Sequence, residues 1–175
     1  MIITRTPYRI SFFGGGTDYP DWFNKHEGSV ISSSINKYSY INVRLIQNFF
    51  NYKYRVVWSL IENRNNIDDI KHPCVREMLK YLKQDFRGIE IKHSGDLPAR
   101  SGIGSSSSFT VGLLNALTQL INKKLSKKQL CNQSIFFEQN ILNEDVGCQD
   151  QAAAAYGGIN EILFKKKNNI EIKKT

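Results

Sequence analysis

The chain has 175 residues, of which 41% are hydrophobic and 23% charged, with a formal net charge of +8. That length and balance suit one folded domain and exclude a disordered chain. No run approaches the roughly 18 apolar residues that span a bilayer, so no membrane partner is expected.

Residues 2–13 alternate as a strand, with Ile2, Thr4, Thr6, Tyr8, Ile10 and Phe12 on one face and Arg5, Pro7, Arg9 and Ser11 on the other. Arg5 and Arg9 interrupt the apolar residues and no small-residue cleavage site follows, so this reads as a strand rather than a signal peptide. "GGGTDYPDW" at 14–22 then breaks the pattern. Residues 28–46 are rich in β-branched and aromatic residues and predict two strands, and 52–60 another.

From Pro73 the period changes. Val75, Met78, Leu79 and Leu82 fall at helical spacing, and 88–98 returns to strand alternation. Phe109, Leu113, Leu114, Leu117, Leu120 and Ile121 predict a helix over 105–121. Ser126 and Gln129 form a capping-box pattern opening a helix to about Leu142, with Gly147 marking its end. "QAAAAYGG" at 151–158 reads as a short helix closed by glycine, and the remainder as a hairpin turning at Asn168-Asn169. The fold class is α+β, a mixed sheet packed on helices.

Cys74, Cys131 and Cys148 contain no Cys-x-x-Cys, and the three histidines no His-x-x-x-His. Free thiols in a reducing cytoplasm are expected, and a structural zinc site is not. The lysines cluster at Lys123-Lys124, Lys127-Lys128, Lys165–Lys167 and Lys173-Lys174, as on solvated element ends. Charge alone therefore selects no partner.

"LPARSGIGSSSS" at 97–108 has a linker's composition but not a linker's neighbours. A strand precedes it and a helix follows at once, the geometry in which a helix N-terminus presents unpaired N–H groups to an anion. Gly102 and Gly104 allow close backbone approach, and Ser105 to Ser108 supply hydroxyls. Phosphate binding and a capped structural turn both fit. A Walker A loop is excluded because no Gly-Lys dipeptide occurs, and the third glycine of the dinucleotide fingerprint is absent.

This stretch resembles the Pro-x-x-x-Gly-Leu-Gly-Ser-Ser motif of the GHMP kinases, with Ile103 in place of the leucine. "TPYRISFFGGGTDYP" at 6–20 resembles that family's sugar-binding motif, and "EQNILNEDVGCQDQAAAAYGG" at 138–158 the segment that carries its acids. Three matches in order are more specific than any one. Within the family the pattern is most similar to the sugar-1-kinases acting on D-glycero-D-manno-heptose 7-phosphate.

The resemblance implies an ATP- and Mg2+-dependent sugar kinase with a ribosomal-protein-like N-terminal fold, acting on the anomeric hydroxyl of that phosphosugar for surface-polysaccharide precursors. Ala99, Gly102, Ile103, Gly104, Ser105, Ser106 and Ser107 would bind ATP. Ser106 and Glu138 would hold the metal. Asp150 would act as base or orienter of the sugar hydroxyl, with Arg9 orienting it or holding a phosphate. Gly15, Gly16, Thr17 and Asp18 would line the sugar site, and Gln151 would touch the sugar or support the groups that do. Gly15 and Gly16 stand where galactokinases carry Glu and His, which disfavours galactose and fits a longer or phosphorylated sugar. Taken singly, Glu138 also reads as a surface helix charge, Asp150 as a helix N-cap and "GGGTD" as an ordinary turn; Glu144 and Asp145 read as solvated.

The family's kinases are roughly twice this length. The expectation is therefore an N-terminal domain over 1–175 without its C-terminal domain, with an apolar exposed face and either a homo-oligomer or a complementing C-terminal chain as partner. An inactive fragment or a basic nucleic-acid-binding module of the same fold is the alternative. Lysines without interleaved aromatics, and acids such a module would not need, weigh against nucleic acid.

Overall fold

A computed structural model describes residues 1–47, 49–84, 86, 88–99 and 101–174. β1 (Ile2–Phe13) leads through the glycine turn into a short helix, α1 (Pro20–His26), which the sequence pattern does not announce. β2 (Gly28–Leu45) is one 18-residue strand where two are predicted. Its length is supported from outside. β1 pairs along one edge, while β6 (Ile159–Lys165) and β5 (Ile89–Gly95) pair end to end along the other. β3 (Tyr54–Val57) runs parallel to β5, and β4 (Ile61–Arg64) and β7 (Asn169–Lys174) complete the mixed sheet.

The helices α2 (Pro73–Leu82), α3 (Ser105–Leu120), α4 (Lys127–Phe136) and α5 (Gln149–Tyr156) form the second layer. Apolar periodicity places Met78, Leu79, Leu113, Leu114 and Leu117 in one core with Ile41, Val43 and Ile91 of the sheet. Gly112 brings α3 onto β1: a Cβ there would stand 2.7 Å from Thr6 Oγ1. The Ser126–Gln129 capping box forms as expected. α4 continues as a π-helical turn over Phe137–Ile141 and so stops short of Gly147. The three cysteines are buried free thiols.

Strict alternation along β1 fails at its end. The register shifts between Pro7 and Arg9. Tyr8 is buried, yet Arg9 also reaches the helix side, and Ile10 and Phe12 become exposed instead of buried. The extra residues at this shift lie on β2, where Ile35, Asn36 and Lys37 stand opposite Tyr8 alone, and a second shift between Ser11 and Phe13 adds a residue to β1; period-two reading anticipates neither.

Candidate active site

The loop from β5 to α3 is built on two left-handed glycines, Gly102 (φ +71°) and Gly104 (φ +72°). Arg9 ties it to β1 twice, its N–H donating to Ile103 O (3.1 Å) and its Nη1 to Gly102 O (2.7 Å). Gly104 occupies the N-cap of α3 and has no side chain to cap it. No capping side chain bonds the first α3 amides, where the positive end of the helix dipole lies. The serines divide their tasks. Ser101 and Ser108 donate to Pro98 O and Pro7 O, fixing the loop, while Ser105 and Ser106 line a cavity together with Ala99. Arg100 lies outside the described residues.

Glu138 sits in the π-helical turn and is 1% exposed. Its Oε2 accepts from Ser107 Oγ (2.9 Å) and from Gln151 Nε2, while its Oε1 makes no hydrogen bond of 3.5 Å or less, although the Thr110 hydroxyl also acts on the carboxylate. Burial raises its pKa, outweighing the hydrogen bonds that lower it. Ser107 is therefore the serine on Glu138. Ser106 is turned about 100° away on the helix, as consecutive positions must be, and is exposed. Gln151, expected at the sugar or as a support, is fully buried and donates to Glu138. Among the described residues no cluster of three or more His, Cys, Asp or Glu could hold a metal. One orphaned carboxylate oxygen with nearby serine hydroxyls nevertheless fits Mg2+, which keeps most of its shell for water and phosphate.

Asp150 lies in the first turn of α5 and accepts from Arg9 Nε at 2.7 Å, with Arg9 Nη2 also at 2.7 Å. Burial raises its carboxyl above the ordinary aspartate value despite the adjacent guanidinium. A Cβ at Gly104 would come within 3.2 Å of Asp150 Oδ2, so the loop's second glycine is what allows the loop and the acid to meet.

The glycine turn packs against the same acid-bearing segment. Asp18, expected to meet sugar hydroxyls, is 1% exposed and accepts from Gly16 N, Gln149 N and Gln149 Nε2. Thr17 Oγ1 donates to Gly14 O and Ser29 O. Both side chains frame the turn rather than face outward. Gly147 is required here because a Cβ would collide with the Asp18 carboxylate. Gly15 and Gly16, by contrast, have nothing within 4 Å of a built Cβ.

Two cavities flank the loop. One, of about 390 Å³, is lined by Arg9, Phe12, Gly14, Gly15, Ile103 and Gln149. Gln149 was not singled out in the sequence, although its Oε1 is buried without a partner. The other, of about 350 Å³, runs from Ser105 and Ser106 to an aromatic group of Trp58, His72, Phe109 and His93. His72 stacks on Phe109 at 4.7 Å, and Trp58 and His93 contribute edges. Buried Glu62 fixes this wall by accepting from Trp58 Nε1 and from the amides of Lys71 and His72. Burial lowers the His72 pKa to about 4, leaving it neutral at pH 7. These rings come from four separate segments and carry no sequence signature. A larger open groove, about 730 Å³ between Tyr81, Phe136 and Ile141, contains none of these groups.

Residues 71–158, which carry the loop, Glu138 and Asp150, match the model of the GHMP kinases N terminal domain. The chain belongs to the GHMP kinases. Among GHMP kinase relatives, the D-glycero-alpha-D-manno-heptose 7-phosphate kinase of Campylobacter jejuni is 27% identical over 179 residues, covering 97% of this chain and 52% of that protein. The galactokinase of Pyrococcus furiosus is 29% identical over 166 residues, covering 93% of this chain and 46% of that protein. The solved structure of a D-glycero-D-manno-heptose 1-phosphate kinase from Bacteriodes thetaiotaomicron has a TM-score of 0.87 at 20% identity, covering 99% of this chain and 59% of that one. The chain spans about half the length of the curated relatives it matches. The α+β fold with a mixed sheet is the GHMP kinase fold that the motifs imply.

Proposed function

We propose that residues 1–175 form the nucleotide- and sugar-binding domain of an ATP-dependent sugar kinase. The observation that carries this reading is the Arg9–Asp150 pair, held against Gly104 at the loop that divides the two cavities. Triphosphate at the α3 N-terminus would have its base among Trp58, His72 and Phe109. The sugar would enter the second cavity, beside Arg9 and Gly15. The anomeric oxygen then attacks the γ-phosphorus, the bond to the β–γ bridging oxygen breaks, ADP departs, and Asp150 takes the hydroxyl proton. Arg9 holds Asp150 in position. Glu138 and a serine hydroxyl, Ser106 by motif, would hold Mg2+, which would supply neutralisation of phosphate charge.

The substrate we propose is D-glycero-D-manno-heptose 7-phosphate, on its way to surface-polysaccharide precursors in the cytoplasm. Supporting this are the open space at Gly15 and Gly16 and the heptose-phosphate kinases among the relatives. Among the described residues no helix is long and apolar enough to cross a membrane. The partner we propose for this domain is a second copy or a C-terminal kinase domain. Exposed Ile10, Phe12, Phe13, Ile31 and Ile159 offer it apolar surface.

The test is sugar-dependent ADP release by the chain with Mg2+ and a panel of phosphosugars, with product detection by mass. Asp150→Asn should lower the rate by about 10²–10⁴-fold while leaving the fold intact. No sugar-dependent release by the unaltered chain, or full activity in Asp150→Asn, overturns the reading.

A further inference from the structure

We infer that Glu144 reads the ribose of the bound nucleotide, accepting hydrogen bonds from its hydroxyls and selecting ribonucleoside over deoxyribonucleoside triphosphates. This rests on the proposed nucleotide site in the 350 Å³ cavity. Glu144 is the acidic side chain lining that cavity, in the segment between the π-helical turn and α5. Its position is fixed through the backbone: its N–H donates to Glu138 O (3.0 Å), and its carbonyl accepts from Val146 N (3.0 Å).

The spacing along α3 locates the group it would meet. Ser105 and Phe109 are four residues apart, about 6 Å of helix rise. That is the gap a ribose bridges between a phosphate on the loop and a base against the rings. Glu144 lines the cavity together with Cys74, Phe109 and Thr110, the stretch next to the rings. An ionised carboxylate only accepts hydrogen bonds. A triphosphate has no proton to offer it and repels it, whereas a ribose offers two hydroxyl donors. Carboxylates meet ribose hydroxyls in the same way in dinucleotide folds. Among the described residues no ion pair or side-chain hydrogen bond engages this exposed carboxylate. Its acceptor capacity is therefore available to a ligand.

The test is binding by the whole chain, read by calorimetry and by Trp58 fluorescence, of ATP, 2′-deoxyATP, 3′-deoxyATP and ITP. The unaltered chain should bind ATP about tenfold tighter than at least one deoxy analogue, the scale of one hydrogen bond to a charged acceptor. Glu144→Ala should bring that ratio close to one, and Glu144→Gln should retain part of it. Equal tightening of all four ligands in Glu144→Ala would show simple repulsion of phosphate and overturn the inference. So would an unchanged ribose ratio, or an effect confined to ATP against ITP, which would place the carboxylate on the base. If the unaltered chain binds no ATP, the nucleotide-site reading itself fails; if it binds ATP without a Glu144-dependent ribose preference, only the present inference does.

Discussion

Arg9 and Asp150 stand 141 residues apart in the chain and meet through two guanidinium contacts of 2.7 Å to one carboxylate oxygen. Burial pushes the Asp150 pKa up and Arg9 pulls it down, by charge and by hydrogen bond. Removing the cation in Arg9→Gln therefore raises that pKa further. The base form then requires a higher pH, and the acid limb of the kcat/KM profile should move upward. Arg9→Lys, which keeps the charge but loses the fork, should leave the limb nearer its original position while lowering kcat. A limb that stays in place in Arg9→Gln would show that Arg9 does not tune this acid.

The two loop glycines make separable demands. Both have positive φ, so alanine at either costs about 1–2 kcal/mol in backbone strain. Only at Gly104 would the new methyl also approach Asp150 Oδ2 and Arg9 Cγ, at 3.2 and 3.3 Å, whereas Gly102 has nothing within 4 Å. Gly102→Ala and Gly104→Ala should thus lose similar stability in thermal melts. Gly104→Ala alone should disturb the Arg9–Asp150 pair and reduce activity by at least a further tenfold.

Gly15 has open space around it and no positive φ. Gly15→Glu should leave stability within about 0.5 kcal/mol, as for a surface substitution. A carboxylate in the 390 Å³ cavity should oppose a phosphosugar, so KM for heptose 7-phosphate should rise about tenfold or more while ATP binding holds. An unchanged KM would remove this cavity from the sugar site.

Glu138 carries a stability cost with a defined sign. Its folded pKa is raised, so the folded state holds the proton more tightly than the unfolded chain. Its contribution is most favourable below the unfolded value and is lost as pH rises through the folded one. Glu138→Gln does not titrate. In the presence of chelator its melting temperature, relative to the unaltered chain, should climb between pH 4 and pH 7. A difference that is flat with pH would mean that the carboxylate is not desolvated.

The long-range motifs were legible because each is local: a glycine pair before a helix, an acid on the next, a Gly-x-x-Asp turn. The helices α2 and α3 followed from apolar spacing, α5 from an alanine run closed by glycine, and the α4 capping box from two residues. Two features escaped for physical reasons. β2 is continuous because β5 and β6 share its edge, which no property of residues 28–45 reveals. Beside the register shift between Pro7 and Arg9, the Arg9 side chain meets Asp150, against the alternation that placed it on the other face.

Residue types and their order in the sequence thus settled the fold class and singled out the glycine loop and the two acids as candidates. Tertiary structure decided which groups meet. It put Ser107 on Glu138, buried Gln151 and Asp18 as supports, and gathered Trp58, His72, Phe109 and His93 into one wall. The physical reason is that local pattern fixes which face of an element is apolar, whereas side-chain partners across elements depend on register, bulges and packing that are set only when the whole sheet and its helices close together.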